Sequence, residues 1–371
     1  MSDWLVRWTQ TNGTVETISV LSMRVTLNKD AKTNSAELIL PKRGNIVDGN
    51  IRFTPGQVIQ IYAKNGLITT PDVADLIMTC KILNLDLNPD DNTIKLTCSD
   101  YTYDLLSTLF TRDITQSLSL NSSEIVSKIV QENASAGITQ NTLSTNIATT
   151  NHLGGAFPNV DFVSVWKTSF DCISELSQPQ YTADDRTYLF WFDPDGTFNW
   201  TYPTNTVESL ELEFGTMQII SLDHSRAEAE TINMIIYDAG TDLNDDPILD
   251  FELRSNAGSS KGSTRYLPMT KIAPELKRSW GGTDNAEFVA AVKKQAIAKC
   301  AAVFTKTGEG LNQATVNIRG QKVNLAKLYG VKSDMKSRET LRLDRVVHTM
   351  SRMGWQTRLE LQTDPTELTT P

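Results

Sequence analysis

Histidine and cysteine are scarce in this chain, with three and four copies in 371 residues. His152, His224 and His348 are far apart, so a histidine-based general base or zinc centre has few candidates. Cys80, Cys98, Cys172 and Cys300 have neither zinc-site spacing nor the density of a disulfide scaffold, and reduced core thiols are expected. Cys80 and Cys98 lie on opposite arms of one expected hairpin, the one pair placed for a bridge. No run approaches the roughly 18 to 20 apolar residues that span a bilayer. The opening Met-Ser-Asp-Trp-Leu-Val-Arg carries no basic segment followed by an apolar one, so a soluble protein made in the cytoplasm, with no membrane partner, is expected. A basic excess is also missing. Lys and Arg number 35 against 44 Asp and Glu, a net charge of −9 and a pI near 5.0, so binding nucleic acid by neutralising phosphates is excluded.

Catalytic motifs are lacking as well. No Walker loop, dinucleotide fingerprint, zinc-protease helix or paired-cysteine site occurs. Gly258-Ser259-Ser260-Lys261-Gly262 has the outline of a nucleophile elbow, but Ser263-Thr264-Arg265 follows where the elbow needs a helix. Asp242-Leu243-Asn244-Asp245-Asp246 begins like a calcium loop. Pro247 then stands where glycine is required and Leu253 where the bidentate glutamate belongs, so a solvated acidic turn is expected. His348, flanked by Val346 and Val347, reads as a packed strand residue. No catalytic, cofactor-binding or metal site is assigned, and the reading is non-enzymatic with no cofactor.

The chain does have alternation. In Leu341 to Thr363, Trp355, Thr357, Leu359 and Leu361 fall on one side and Gln356, Arg358, Glu360 and Gln362 on the other, the period of a half-buried strand. Arg342 to Met350 precedes it across a reversal at Ser351 to Gly354, which makes an antiparallel hairpin. Cys80 to Asp100 repeats the pattern: Leu83, Leu85 and Leu87, a turn at Asn88 to Asn92, then Ile94, Leu96 and Cys98. Both hairpins close on a small polar residue and an aspartate, Ser99-Asp100 and Thr363-Asp364. Two distant copies of one β-unit are therefore expected, with the rest inserted between them.

A length of 371 residues suits two to three domains. Residues 1–110 read as all-β, with six short strands between turns such as Asn12-Gly13, Pro55-Gly56 and Asn65-Gly66. Asp100 caps a helical turn whose Leu105, Leu106 and Leu109 are expected to face the β-layer. Residues 111–215 mix types. Ser122 or Ser123 starts a helix with Ile125, Val126, Ile129 and Val130 on one face, Asn141 to Leu153 reads as an exposed loop, and Trp166, Phe170, Ile173 and Leu176 form a helical core stripe over Val163 to Ser177. Asp193-Pro194-Asp195-Gly196 joins aromatic strands Tyr188 to Phe192 and Thr197 to Tyr202. Residues 216–365 return to β-structure, with a mobile loop at Ala257 to Ser263 and an alanine-rich helix over Asp284 to Phe304. Residues 366–371 form a flexible tail.

In order along the chain these segments resemble the baseplate hub proteins of tailed bacteriophages and related contractile injection machines. Phe53-Thr54-Pro55-Gly56-Gln57-Val58-Ile59-Gln60-Ile61-Tyr62 is similar to a family strand, with Gln57 where aspartate is usual. Leu96 to Leu106 is similar to the strand ending in Asp, an aromatic and a Leu-Leu helix. Tyr188 to Tyr202 matches the aromatic hairpin of the inserted domain, and Arg345 to Leu361 the closing hairpin with its Val-x-His. Residues 240 to 280 match no part of the pattern. The resemblance implies an α+β, mainly β fold of two tail-tube-like antiparallel β-barrel domains with an inserted α/β region. It implies a homotrimer that adapts the sixfold tail tube to the threefold central spike, a structural virion protein of the tail baseplate assembled in the host cytoplasm. Tail tube protein, central spike or tail tip protein, other baseplate proteins and the tape-measure protein are the implied partners, with DNA passing through the lumen without specific binding. Three chains at −9 make a net-negative lumen the expectation. The competing reading is a virion-tip carbohydrate-binding module gripping host glycans through exposed aromatics such as Trp191 and Trp200. A peptidoglycan hydrolase is disfavoured, since no paired carboxylates stand in a recognisable context.

Overall fold

The computed structural model describes residues 4–29, 33–47, 49–64, 66, 68, 70–88, 90–110, 122–135, 145–147, 167–177, 188–201, 207–208, 210, 212–213, 219–225, 232–253, 263–308, 313–332 and 339–362. The first β-unit contains β1 (Trp4–Thr9), β2 (Val15–Ile18), β3 (Ser22–Asn28), β4 (Ser35–Pro41), the two-residue strands β5 (Ile46–Val47) and β6 (Asn50–Ile51), β7 (Val58–Ala63), β8 (Leu76–Asn88) and β9 (Thr93–Ser99). A middle segment follows: α1 (Thr102–Ser107), β10 (Leu109–Phe110), α2 (Ser122–Ser135), β11 (Thr145–Ile147), β12 (Lys167–Thr168), α3 (Ser169–Leu176), β13 (Leu189–Phe192) and β14 (Phe198–Thr201). After β15 (Leu212–Glu213) and β16 (Ile219–Ser225) come β17 (Ile232–Thr241), β18 (Pro247–Leu253), β19 (Ser263–Pro268), α4 (Ile272–Ser279) and α5 (Asn285–Gly308). The chain ends on β20 (Gln313–Arg319), β21 (Leu328–Lys332), β22 (Glu339–Ser351) and β23 (Gly354–Gln362).

Alternation buries one side of most long strands. In β4 the residues Ala36, Leu38 and Leu40 are buried while Glu37 and Ile39 are exposed, and β23 buries Trp355, Thr357, Leu359 and Leu361. Both expected hairpins form, β8 with β9 and β22 with β23, the second reversing between Ser351 and Gly354, where Gly354 takes φ +104°. Strands from the two ends of the chain belong to one 13-stranded sheet, in the order β16-β20-β23-β22-β3-β4-β9-β8-β7-β1-β2, with β21 on β22 and β15 on β21. One apolar cluster, including Leu38, Leu96, Val316 and Leu359, runs through both ends. Each such side chain, fully buried, contributes about 2 kcal/mol.

The repeat holds residue by residue. The run β3-β4-β9-β8-β7 has the same chain order and the same antiparallel pairings as β16-β20-β23-β22-β21. β8 and β22 each have 13 residues, and each carries a bulge, between Ile82 and Asn84 and between Leu343 and Arg345. Ahead of each bulge one short turn is fastened in the same way. Gly56 N donates to Ile82 O and Ile82 N to Gln57 O, while Ala326 N donates to Leu343 O and Leu343 N to Lys327 O. The residue before each bulge pair is basic in both copies: Lys81, at 2.7 Å from Asp104, and the buried Arg342, whose Nη1 donates to Ala326 O at 2.6 Å.

One member of this equivalence is strained. Gly56 has φ +89° and its counterpart Ala326 has φ +59°, where Cβ costs roughly 1 kcal/mol. Ala326→Gly is therefore expected to raise stability by up to about 1 kcal/mol, read as a higher urea midpoint at unchanged slope, whereas Gly56→Ala lowers it.

Two further clusters lie outside the large sheet. Helices α1, α2 and α3 with β13 and β14 bury Tyr101, Ile125, Val126, Ile129, Ile173, Leu176 and Trp200 together. The sheet β18-β17-β19 packs with α4 and α5 through Ile235, Tyr237, Phe288, Val292, Ala296 and Cys300.

Several local expectations are corrected. The helix expected from Val163 starts at Ser169, because Thr168 and Asp171 close a capping box there, and Trp166 lies outside the described residues. The loop expected over Asn141 to Leu153 contains β11, parallel to β14. The bulge in β8 takes Leu83 out of the Leu83, Leu85, Leu87 row, while Leu87, opposite the buried Ile94, is 51% exposed because its half of the strand has β9 as its one described neighbour. Of Leu105, Leu106 and Leu109, expected to face the β-layer, Leu105 is buried and the other two are exposed. The reduced core thiols are as expected, with all four cysteines buried and free and no bridge between Cys80 and Cys98. Thr363-Asp364, residues 257–262 of the expected loop and the tail lie outside the described residues.

Candidate functional surface: the polar face of the shared sheet

The side of the sheet opposite the core is continuous across both copies. A straight row crosses seven strands through Arg319, Gln356, Thr349, Arg24, Glu37, Thr97 and Asn84, every member polar. A second row runs through Ser221, Asn317, Arg358, Val347, Thr26, Ser35 and Ser99. The face is mostly Ser, Thr, Asn and Gln. Its charges are mixed, with basic Arg24, Lys81, Lys95, Arg319, Arg345 and Arg358 and acidic Glu37, Asp86, Asp223 and Glu360. Lys95 pairs with Glu37 at 2.9 Å, Arg358 with Glu360 at 3.3 Å and Arg345 with Glu360 at 3.6 Å. These exposed pairs add little stability but cap the local positive potential.

What makes the face continuous is a seam between the copies. Strand β22 pairs antiparallel with β3, from Arg345 opposite Asn28 to Met350 opposite Met23. At its end Lys29 N donates to Asp344 O at 2.7 Å, with Lys29 Nζ 3.9 Å from the Asp344 carboxylate. The equivalents of these two strands do not meet. The second half of β8 (Asn84 to Asn88) corresponds to the half of β22 that pairs β3, yet among the described residues it pairs only β9, and β16, the counterpart of β3, pairs only β20. Each chain thus carries one closed seam and the two unpaired halves of another, with Leu87 and Ile220 exposed on those halves. Unpaired strand edges invite strand addition.

The candidate residues of the sequence are dispersed. His348 is fully buried: its Nδ1 lies 2.9 Å from Thr357 Oγ1 and receives the Trp355 indole N–H at 3.3 Å, and burial pushes its pKa down to about 3. His224, at the free edge, lies 2.9 Å from Glu339 Oε2. Asp242 does not hold an open loop, because one carboxylate oxygen accepts from the backbone N–H groups of Asn244 and Asp246 and the other from Asn285 Nδ2 at 2.6 Å. Asn285 accounts for the lowered pKa of Asp242 first, the backbone donors after it. Trp200 is buried, its Nε1 donating to Ser177 Oγ at 2.7 Å, so it is not the exposed aromatic a glycan grip requires. Trp191 donates to its neighbour Asp193 at 2.9 Å. His152 and Gly258 to Gly262 lie outside the described residues. The polar face itself was missed in the sequence, though its signal, uncharged polar residues at every second position of the strands, is there to find.

No family model and no curated protein sequence matches the chain. Solved structures do. A tail protein from Neisseria meningitidis MC58 aligns at TM-score 0.68 and 12% identity, covering 97% of each chain. The 43 kDa tail protein of prophage MuSo2 from Shewanella oneidensis aligns at TM-score 0.68 and 13% identity over 98% of this chain and 99% of that one. The c3393 protein of E. coli, a component of the type VI secretion system, aligns at TM-score 0.51 and 8% identity over 94% and 74%. At these identities the likeness is one of fold: a mainly β, antiparallel fold of phage tail proteins, as the resemblance implied.

Proposed function

We propose, from a fold shared with phage tail proteins, that this chain is a structural tail protein and that three copies close into a baseplate hub ring around a DNA channel. The observation that carries the reading is the closed seam together with the two unpaired halves of a second. A patch that joins head to tail either closes into a ring or runs on as a filament. Three chains of two modules give six similar units, which meets a sixfold tube on one side and a threefold spike on the other. Within the chain we assign residues 1–110 to the first module, 111–215 to the inserted α/β region and 216–365 to the second module, with β17 to α5 as an excursion between β16 and β20. The ring belongs to the virion tail, between tube and spike.

In this reading the polar face is the channel wall. This departs from the acidic lumen expected from the net charge of −9, because the wall so drawn carries six basic and four acidic groups and the acidic excess lies elsewhere on the chain. A wall of hydroxyls and amides, with Lys81, Lys95, Arg345 and Arg358 paired with carboxylates, offers passing phosphates little unmatched positive charge.

Light scattering tests the assembly. The 41.2 kDa chain is expected to run at three times its own mass. Leu87→Lys is expected to run as a folded monomer, since Leu87 is half-exposed in the single chain and enclosed at the seam of the ring. A monomeric natural chain, or a Leu87→Lys ring of undiminished stability, contradicts the proposal.

A further inference from the structure

One surface has no role in the channel. The sheet β18-β17-β19 is covered by α4 and α5 on one side only. On the other side Phe251 and Tyr266 flank Ile236, with Leu253 and Leu249 in the rows on either side, and all five are exposed. Asp238, the one acidic group on that side among the described residues, accepts from Gly240 N at 3.0 Å. An uncovered apolar face of this kind marks an interface.

We infer that this face is an interface between copies of the chain, received by the exposed Tyr103, Leu106 and Leu109 of the neighbouring copy's α1–β10 segment. The inference rests on the proposed ring. Copied onto the unpaired edges, the internal seam sets Ser225 of one chain opposite Asp86 of the next, as Thr26 stands opposite Val347. Strand β16 then leaves the seam towards the neighbour's β8 bulge, on its way into β17. At that same end the neighbour's β9 passes into α1, which Lys81 holds through Asp104 at 2.7 Å. The two exits are two strand spacings apart, about 10 Å. Area favours the same occupant. A five-residue strand edge falls well short of the roughly 1,000 Å² that a specific interface buries, so a stable ring needs a second contact, for which the two apolar patches supply exposed area on both partners.

Phe251→Asp tests this, because Phe251 is 54% exposed and its loss leaves the single chain folded, as circular dichroism and an unchanged thermal midpoint would verify. Mass photometry over a dilution series is expected to show the variant ring dissociating at a concentration at least ten times higher than the natural ring, with Phe251→Tyr close to natural. In a Phe251→Cys and Leu106→Cys double variant, oxidation is expected to link chains. A Phe251→Asp ring as tight as the natural one overturns the inference and leaves the ring standing. A natural chain that is monomeric throughout overturns both.

Discussion

Replacing Gly320 by alanine is expected to destabilise the protein by at least about 3 kcal/mol, in the range of losing a large buried aromatic, and to depress its soluble yield. A Cβ on Gly320 would lie 2.1 Å from Cγ and Cδ2 of Trp355, a separation no packed structure accommodates. Trp355 cannot yield cheaply. Its carbonyl accepts from Gly320 N at 2.8 Å, its indole N–H donates to His348, and its ring is buried in the common core. Thr357 joins the same arrangement, next to His348 Nδ1 and to the backbone of Gln321. The substitution therefore strikes β20, β22 and β23 at once. A urea titration is the measurement, and a midpoint within experimental error of the natural protein would mean that Trp355 does not sit over Gly320.

The second large effect is a pH dependence made of two opposed parts. His348 titrates near 3 when folded against its ordinary 6.5, because burial disfavours the cation. Between those pH values the unfolded chain binds a proton that the folded chain refuses, so stability is lost as pH falls from 6.5 towards 3, on the order of 5 kcal/mol in full. Asp100 behaves in the opposite sense. Burial lifts its carboxyl from 3.8 to about 7, against the lowering by hydrogen bonds from Thr102 and Asn34. Here the folded chain holds the extra proton, and stability is fully present below about 4 and is lost as pH rises through 7. In the natural protein the two slopes offset each other between pH 4 and 6.5. Asp100→Asn, which keeps an acceptor for Thr102, is expected to show the full loss in acid. His348→Asn, which keeps an acceptor near Nδ1, is expected to gain stability as pH falls from 7 to 4. Thermal midpoints measured across that range check both, and parallel curves for the natural chain and either variant would refute the assignment.

Legibility in the sequence followed the range of the interactions. Both long hairpins were readable because alternation and turn chemistry are local: Ile94, Leu96 and Cys98 are buried in β9, and Trp355, Leu359 and Leu361 in β23. Helices α2 and α5 were readable from their spacing, and Asp284 caps the second through the N–H groups of Ala286 and Glu287. The seam was not readable, since it pairs residues 23–28 with residues 345–350 and neither strand carries a mark naming its partner. The bulges were not readable either, since the register shifts between Ile82 and Asn84 and between Leu343 and Arg345 leave no mark in the alternation that revealed the repeated hairpin. The α/β unit between β16 and β20 misled for a different reason. In β18 the regular apolar set, Leu249, Phe251 and Leu253, is the exposed one, so alternation points to a core that the single chain does not supply.

The most direct test of the account is a cysteine pair at the proposed seam between chains, Asp86→Cys with Ser225→Cys. These residues correspond to Val347 and Thr26, which stand directly opposite each other inside the chain, and such a pair brings Cβ atoms within the roughly 4.5 to 5.5 Å of facing residues, close to the geometry of a disulfide. Mild oxidation is expected to give a covalent trimer on a denaturing, non-reducing gel, while Asn84→Cys with Ser225→Cys, two residues out of register, stays uncrosslinked. The native four cysteines are buried and do not compete. A chain that remains monomeric under these conditions, or one that links equally well out of register, would contradict the ring of paired modules.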